Sequence, residues 1–436
     1  MGKLAITGGR PARRKPFPSW PVFDRQDARA LQQALESRNW GGYPFPNERA
    51  DRFARAFARF HEAKYGVAVA NGTVAIEIAL KAVGIAPGDE VIVPAYTWEG
   101  TVGPILLLNA VPVFVDIDPE TYCMDPQRVE AAITPRTRAL LPVHLGMCFA
   151  DLDAIGRIAR KHKLAVIEDC AHAHGGRWRA KGAGASGDLG CFSFQSSKLM
   201  TSGEGGADIT NKLEYFERAQ SYINCGRASA TDRFRHRLIG FNFRLTEFQA
   251  ALLEGQLRRL PAQAKVRRAN MERFERRIGG MAGLATLKRD PRITAVAAYQ
   301  YVFKYLPEHF GDVPRAALLG ALEMEGIPCD GLFYEPVYRS ALFPVEPTDF
   351  PALSWGREPV DFKAVRCPVS ERAAYEEAVW LPHHIFLGTR ADTDDIAGAV
   401  EKVLENIGEL RGLKHPAIAR KAMSRAERPR VEKRQW

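Results

Sequence analysis

Between residues 65 and 212, the apolar positions follow two alternating patterns. Short apolar runs such as Val67–Ala70 and Glu90–Pro94 are typical of buried strands. Each is followed by a stretch of helical character, such as Thr73–Val83. Because parallel strands are joined by crossovers, usually helices, this alternation predicts a mostly parallel sheet with helices on both faces. Further elements are predicted as strands at 112–116, 138–144 and 164–168, and as helices at 101–109 and 151–161.

The pattern changes in the second half of the chain. From Arg244 to Ile278 it is strongly helical, with Pro261 as the predicted break or kink. A second region of strands and helices follows, from a strand at Tyr299–Tyr305 to a helix near 393–410. The chain is therefore predicted to be an α/β protein with a large domain and a smaller α/β C-terminal domain. The expected divisions are an N-terminal arm (1–25), a large domain (26–261), a small domain (262–410) and a tail (411–436).

The positive charge is concentrated at the end of the chain. The 436 residues carry a net charge of +10, and residues 411–436 contain nine Lys and Arg against two Glu, which is +7 of that total. This tail has few apolar residues, which predicts a disordered, solvated segment rather than a nucleic-acid-binding arm. The remainder of the chain is close to neutral, so no nucleic-acid partner is expected.

The cysteines and the apolar runs of the sequence indicate the cellular compartment in which the protein is expected. The seven cysteines are odd in number, scattered and without a C-x-x-C pair, which predicts reduced thiols and a cytoplasmic protein. No stretch of eighteen or more apolar residues is present, and Met1–Gly9 lacks the apolar run of a signal peptide. No membrane partner is expected.

Lys198 and Asp169 are the two residues that most clearly indicate a catalytic site. Lys198 lies between the apolar run Cys191–Phe194 and the glycine-rich turn Gly203–Gly206, and Asp169 ends an apolar strand. A sheltered lysine can form a Schiff base with an aldehyde, and a buried carboxylate can keep a pyridine nitrogen protonated. The alternatives are a surface lysine and a helix N-cap aspartate. Together the two residues predict an enzyme that uses pyridoxal phosphate.

Other polar residues fall near the predicted strand ends, where open α/β sheets bind ligands. Gly72 and Thr73 begin a helix directly after a strand, and helix N-termini bind phosphate, although Asn-Gly is often only a turn. Ser193 adds a hydroxyl. Trp98 is either a stacking face for a ring or a core residue. The remaining candidates at these ends are Asn71, His144, His172 and His174.

The two histidines after Asp169 are ambiguous, because one can contact the cofactor ring while the other is structural. Neither His172 nor His174 has partners at metal-ligand spacing, so no metal is expected. The segment Gly182–Gly187 matches the G-x-G-x-x-G pattern of dinucleotide sites. It follows no buried strand and leads into a strand instead of a helix, so it is predicted to be a loop.

Four motifs together resemble the DegT/DnrJ/EryC1/StrS aminotransferase family. They are Glu168–His172, Phe192–Phe194 with Lys198, Gly203–Gly206 and Gly240–Leu245. The resemblance runs from about residue 17 to 410 and implies the fold-type-I, aspartate-aminotransferase-like scaffold with pyridoxal phosphate. It implies that Lys198 is the Schiff-base lysine and that Asp169 is the partner of the pyridine nitrogen.

The same resemblance assigns the remaining site residues. It implies that Gly72, Thr73 and Ser193 contact the phosphate and that Trp98 stacks on the ring. His172 stands where the family often has Gln or His near the phenolic oxygen of the ring. Asn242 matches a residue that reaches the phosphate of the neighbouring subunit, which implies a homodimer with two shared active sites.

Several stretches are most similar to the glutamine:scyllo-inosose aminotransferases of aminocyclitol pathways. They are 112–116, 121–126, 301–303, 367–373 and 383–384. This implies a ping-pong transfer of an amino group from Gln or Glu to a keto-cyclitol or keto-sugar. The segment Gln195–Thr201 resembles 3-amino-5-hydroxybenzoate synthases, so an aromatising enzyme or dehydratase on this fold is the alternative. A third, less favoured hypothesis is a regulator that binds pyridoxal phosphate and uses the basic tail. Tyr334, Glu335 and His384 are predicted to line the substrate pocket.

Overall fold

The computed structural model describes residues 2–42, 45–228, 235–311, 313–343 and 345–422. In chain order the strands of these residues are β1 (Tyr65–Val69), β2 (Glu90–Pro94), β3 (Val111–Val115), β4 (Thr137–Leu140), β5 (Ala165–Asp169), β6 (Arg177–Trp178), β7 (Lys181–Gly182), β8 (Leu189–Ser193), β9 (Gly206–Thr210), β10 (Leu284–Thr286), β11 (Ile293–Ala295), β12 (Gln300–Tyr305) and β13 (Ala378–Pro382).

The helices of the same residues are α1 (Arg25–Glu36), α2 (Glu48–Phe60), α3 (Gly72–Val83), α4 (Glu99–Leu107), α5 (Pro126–Ala131), α6 (Leu152–His162), α7 (Leu213–Ile223), α8 (Glu247–Ile278), α9 (Arg315–Met324), α10 (Pro368–Arg372), α11 (Arg390–Glu405) and α12 (Pro416–Ala422). Within these residues, no helix is both long and apolar enough to cross a membrane.

A seven-stranded sheet in the order β1-β9-β8-β5-β4-β2-β3 forms the centre of the molecule. β9 runs antiparallel to both of its neighbours, while the other strands pair in parallel. The predicted α/β class with a mostly parallel sheet is confirmed. The parallel arrangement brings the carboxyl ends of β5 and β8 to the same edge, with Asp169 paired in register with Cys191.

One strand and one helix differ in extent from what the sequence predicts. β4 ends at Leu140 instead of continuing to His144, because Pro142 has no N–H to donate to a ladder. α8 continues past Pro261 to Ile278, so the chain does not break at that proline. The proposed division between the domains at residue 261 therefore falls inside a helix.

The second half of the chain builds a smaller antiparallel sheet in the order β10-β12-β13. Apolar residues of this sheet and of β2 and β4 belong to one contiguous core. The seven cysteines form no disulfide, and six of them are buried.

Part of the C-terminal tail is ordered. α12 packs on α9, with Ala417 buried and Ile418 close to Gly320. The expectation of a disordered tail from residue 411 is therefore wrong for residues 411–422, because a few apolar side chains suffice to hold one short helix. Residues 423–436 of the predicted tail lie outside the described residues.

The N-terminal arm also packs on the second half of the chain. Leu4 and Ile6 belong to the core, and the carboxylate of buried Glu325 accepts hydrogen bonds from the N–H groups of Ala5 and Ala12 at 2.8 and 2.7 Å. These contacts tie the arm to the end of α9.

Candidate active site

Lys198 lies on a closed turn that follows β8. The N–H of Phe194 donates to the carbonyl of Gly205 at 2.8 Å, and the N–H of Lys198 donates to the carbonyl of Gln195 at 2.9 Å. The turn holds the lysine half-buried, with Nζ 4.6 Å from the centroid of the Tyr299 ring. The amine therefore rests on an aromatic face instead of extending into solvent.

Asp169 is the last residue of β5, and its carboxylate is held from two sides. Oδ2 accepts a hydrogen bond from Thr101 Oγ1 at 2.8 Å, and Oδ1 accepts one from the N–H of Ala171 at 3.0 Å. A turn follows Asp169, so the alternative that it caps a helix is wrong. Because an ionised carboxylate offers about four acceptor positions, two hydrogen bonds leave capacity for another donor.

The N-terminus of α3 lies directly against the end of β8. Asn71 Oδ1 accepts from the N–H of Val74 at 2.9 Å, while no acceptor among the described residues takes the N–H of Gly72 or Thr73. A Cβ on Gly72 would lie 2.5 Å from Ser193 Cβ, so only glycine permits this approach. Free N–H groups at a helix start, beside two hydroxyl side chains, suit an anion.

His172 is buried and connects this region to the second half of the chain. Its Nδ1 accepts from the N–H of Gly146 at 3.1 Å, so Nε2 carries the proton and donates to Tyr334 Oη at 2.8 Å. Burial lowers the pKa of His172 well below its ordinary value, and the positive charge of Lys198 lowers it further. The ring is neutral, with its centroid 4.2 Å from that of Tyr299.

Trp98 stands at the other side of the α3 N-terminus. It is 43% exposed and precedes α4, and its ring centroid lies 6.4 Å from that of Tyr334. A Cβ on Gly100 would lie 2.7 Å from Trp98 Cδ1 and 2.8 Å from Thr73 Oγ1, so the two side chains flank the same glycine. The exposed indole shows that Trp98 is not a core residue.

Asn242 lies on a segment that runs beside the end of β1, because the N–H of Ala70 donates to the carbonyl of neighbouring Phe243 at 2.9 Å. It is exposed and pairs through a β-bridge with Asn224. Nearby Ile239 and Phe241 are 91% and 46% exposed, respectively. The surface around Asn242 is therefore apolar and open.

The predicted loop at Gly182–Gly187 is a loop from Ala183 onward, because Gly182 is the last residue of β7, and this loop has a structural role. Glu168 accepts hydrogen bonds from His144 Nε2 at 3.0 Å and from the N–H groups of Gly184, Ser186 and Gly187 at 3.0, 2.9 and 2.5 Å. Burial acts to raise the pKa of Glu168, but these donors outweigh it and lower the pKa. Cys170 lies within 4.8 Å of the same pair, yet the carboxylate is already fully hydrogen-bonded.

The sequence did not identify two residues that complete the site. Thr101 was seen only as part of a helix, and Tyr299 only as the start of a strand. Tyr334, which the sequence predicts to line the substrate pocket, contacts His172, and its place in a substrate pocket stays a prediction. His384 is half-buried, and burial, followed by the charge of Arg267, lowers its pKa to about 4. No signal in the sequence distinguishes Thr101 or Tyr299 from ordinary core residues.

Comparison with known proteins gives a consistent result. The sequence profile of the DegT/DnrJ/EryC1/StrS aminotransferase family matches residues 22–401. A protein of Streptoalloteichus tenebrarius assigned as an L-glutamine:3-amino-2,3-dideoxy-scyllo-inosose aminotransferase is 46% identical over 416 residues, which is 94% of this chain and 99% of the relative.

Two further similarities extend this comparison. The L-glutamine:2-deoxy-scyllo-inosose aminotransferase of the same organism is 39% identical over 422 residues, covering 94% of this chain and 99% of the relative. The crystal structure of 3-amino-5-hydroxybenzoic acid synthase superposes with a TM-score of 0.80 at 34% identity, covering 90% of this chain and 100% of that one.

Proposed function

Because the chain belongs to the DegT/DnrJ/EryC1/StrS aminotransferase family, we propose that it uses pyridoxal phosphate to move an amino group from glutamine or glutamate to a keto-cyclitol or keto-sugar. The acceptor would be of the scyllo-inosose type. The observation that carries the proposal is the convergence of Lys198, Asp169 and the free N-terminus of α3 at one edge of the sheet.

The residues present fit this cofactor. Ser193 lies so close to Gly72 that residue 72 cannot carry a Cβ. The absence of a side chain there lets a phosphate approach the backbone N–H groups closely. Asp169 keeps acceptor capacity after its two hydrogen bonds, which suits a protonated ring nitrogen. Lys198 offers an amine above the Tyr299 ring. The donor set therefore matches a phosphate, a pyridine ring and an aldehyde.

We assign each residue one task in holding the cofactor. Lys198 Nζ would bind the aldehyde carbon, and Asp169 would hold the ring nitrogen. Gly72, Thr73 and Ser193 would hold the phosphate, while Trp98 and His172 would contact the ring. His172 is neutral and its Nε2–H already goes to Tyr334, so it serves as a packing and orienting group and not as an acid.

Pyridoxal phosphate supplies an aldehyde that takes up the amino group and a ring that accepts the electron pair left when the Cα proton departs. Once the nitrogen of the amino donor replaces Lys198 Nζ on the aldehyde carbon, the freed amine would be the general base that takes the Cα proton of the donor. In the second half reaction it would deliver a proton to the ketone carbon that receives the amino group. The role of Asp169 would be to keep a positive charge on the ring nitrogen that it holds. Thr101 and the N–H of Ala171 fix the direction of that carboxylate.

The donor and the acceptor are proposed from the relatives. Those assigned a reaction with L-glutamine and an inosose cover almost the full length of this chain. The direct test is to incubate the purified protein with L-glutamine and 2-deoxy-scyllo-inosose, or its 3-amino derivative, and to detect the aminated cyclitol by mass spectrometry. Absence of product with both ketones would reject this acceptor class.

We also propose that the protein is a cytoplasmic homodimer with shared sites. Asn242 would reach the phosphate bound by the partner subunit. Its exposure, and that of Ile239 and Phe241 beside it, supports a contact with a second copy. Sedimentation analysis tests the assembly. Asn242→Ala should weaken cofactor binding while leaving the dimer intact.

An aromatising reaction is the second candidate. It is favoured by the similarity of this chain to 3-amino-5-hydroxybenzoic acid synthase, including the segment Gln195–Thr201. Such a reaction releases water and forms an aromatic ring, whereas amination of a keto-cyclitol leaves the ring saturated. The near-ultraviolet absorbance of the product distinguishes the two reactions.

A further inference from the structure

Two side chains from distant parts of the chain hold the carbonyls just before Lys198. Trp20 Nε1 donates to the carbonyl of Ser196 at 2.9 Å. His383 Nε2 lies 3.0 Å from the carbonyl of Ser197, and because a carbonyl only accepts, Nε2 is the protonated nitrogen. Trp20 belongs to the N-terminal arm, and His383 follows β13.

The two side chains also hold each other. The rings of Trp20 and His383 meet edge-on with centroids 4.6 Å apart, and both are buried. The guanidinium of Arg267 lies 5.2 Å from the Trp20 ring centroid. Burial, followed by the charge of Arg267, lowers the pKa of His383 well below its ordinary value. His383 is therefore neutral and remains a fixed donor.

The side chain of Ser197 contacts Tyr299, whose ring centroid lies 5.9 Å from that of His383. Its Oγ lies 2.8 Å from Tyr299 Oη and donates to Gln195 Oε1 at 2.7 Å. The Tyr299 ring is the face on which Lys198 Nζ rests. Ser197 thus connects the carbonyl held by His383 to the aromatic face under the amine.

We propose that Trp20 and His383 are positioning residues that act together on the Ser196–Ser197 backbone to fix the direction of Lys198. The inference rests on the proposed function, because it gives Lys198 a task that requires a fixed direction. Neither residue needs to touch the cofactor. Their action on Lys198 passes through two consecutive carbonyls and through the Ser197–Tyr299 contact.

The physical reason is that a long side chain cannot be aimed from a mobile turn. Lysine has several rotatable bonds, and proton transfer needs donor and acceptor within hydrogen-bond reach. A small misplacement caused from outside the chemistry can lower a rate by about a hundredfold. The arm and the second half of the chain each add one donor to the hydrogen bonds that the turn makes within itself.

The test removes each donor while keeping its bulk. Trp20→Phe keeps a ring against His383 and Arg267 but loses the N–H. His383→Leu loses the donor, whereas His383→Gln keeps an N–H at a similar reach. Trp40→Phe is the matched control, because exposed Trp40 donates its Nε1–H to the carbonyl of Leu35 outside the site.

Hydrogen–deuterium exchange of the peptide covering residues 195–202 is the readout that does not depend on turnover. We expect roughly five- to tenfold faster exchange in Trp20→Phe and His383→Leu, as the loss of one hydrogen bond implies. His383→Gln and Trp40→Phe should exchange like the unsubstituted protein. Steady-state kinetics should show kcat lowered by roughly ten- to a hundredfold, with KM for glutamine changed by less than about twofold.

Unchanged exchange in Trp20→Phe and His383→Leu would overturn the inference. So would an equal loss of kcat in the Trp40→Phe control. If the unsubstituted protein transfers no amino group, the proposed function fails, and the exchange comparison still decides whether the two residues hold the turn. If Trp20→Phe does not fold, the His383→Leu and His383→Gln pair gives the same comparison, and if His383→Leu does not fold, Trp20→Phe against Trp40→Phe gives it.

Discussion

Thr101 donates a hydrogen bond to Asp169 across the sheet edge, with Thr101 Oγ1 2.8 Å from Asp169 Oδ2. Thr101 lies in the first turn of α4, and its oxygen also lies 2.9 Å from that of Thr97. Both partners are buried. The carboxylate proposed to face the ring nitrogen is therefore aimed by a neighbouring helix and not only by its own strand.

Thr101→Val should weaken cofactor binding without unfolding the protein. Valine has the shape of threonine but cannot donate, and a hydrogen bond to a charged group contributes about 1.5–3 kcal/mol. The dissociation constant for pyridoxal phosphate should rise by about tenfold or more, as measured by titration of the visible absorbance. Thr393→Val is the control, because the buried Thr393 hydroxyl lies in α11 and donates to the carbonyl of Thr389 at 3.4 Å. An affinity equal to that of the control would show that the bond does not orient the carboxylate.

Gly72→Ala should prevent normal cofactor binding. The added Cβ would lie 2.5 Å from Ser193 Cβ, and neither atom belongs to a flexible chain end. The start of α3 or the end of β8 must shift, and overpacking of this kind typically costs about 1–3 kcal/mol. We expect lower cofactor affinity and a lower melting temperature.

Gly398→Ala is the matched control for this change. Gly398 lies inside α11 with nothing within 4 Å of a Cβ, so alanine should be neutral or stabilising there. If Gly72→Ala binds the cofactor as tightly as Gly398→Ala does, the close approach of α3 to Ser193 is not part of the phosphate site.

Stability should fall as the pH is lowered below about 6.5. Burial lowers the pKa of His61 to about 3, and it also lowers the pKa of His172, His174 and His383 well below their ordinary values. The unfolded chain therefore takes up protons that the folded protein excludes. For each such histidine, the free energy of unfolding falls by about 1.4 kcal/mol for every pH unit lowered between the pKa of the unfolded chain and that of the folded protein.

His61→Gln tests this dependence one group at a time. The slope of the unfolding free energy against pH, measured by urea unfolding between pH 6 and 5, should be smaller in the variant. The decrease should correspond to the uptake of up to one proton fewer on unfolding. His162→Gln is the control, since His162 is only half-buried. An identical slope in the unsubstituted protein and in His61→Gln would mean that His61 is protonated in the folded state.

The fold class that the sequence predicts is confirmed, and the structure brings several of the predicted site residues together because they lie at strand ends. Lys198, Asp169 and Gly72 each follow or end an apolar run, and parallel strands place such ends at one edge. The partners Thr101 and Tyr299 were missed. Their contacts depend on the order of strands in the sheet and on which helix crosses that edge, and local periodicity carries neither.

Two other outcomes show where local patterns mislead. The tail was expected to be disordered on composition, yet Ala417 and Ile418 pack on α9. Pro261 was expected to break or kink α8, and the helix continues past it, so a break is ruled out. In both cases packing against a neighbouring element outweighs the local preference.

The central claim is that Lys198 holds the cofactor. The most direct measurement is to load the purified protein with pyridoxal phosphate, reduce it with borohydride, digest it and locate the modified residue by mass spectrometry. We predict one cofactor fixed on Lys198, and none after prior conversion with L-glutamine, which would leave the cofactor in its amine form. Modification of a different lysine, or equal labelling of the Lys198→Ala variant, would contradict it.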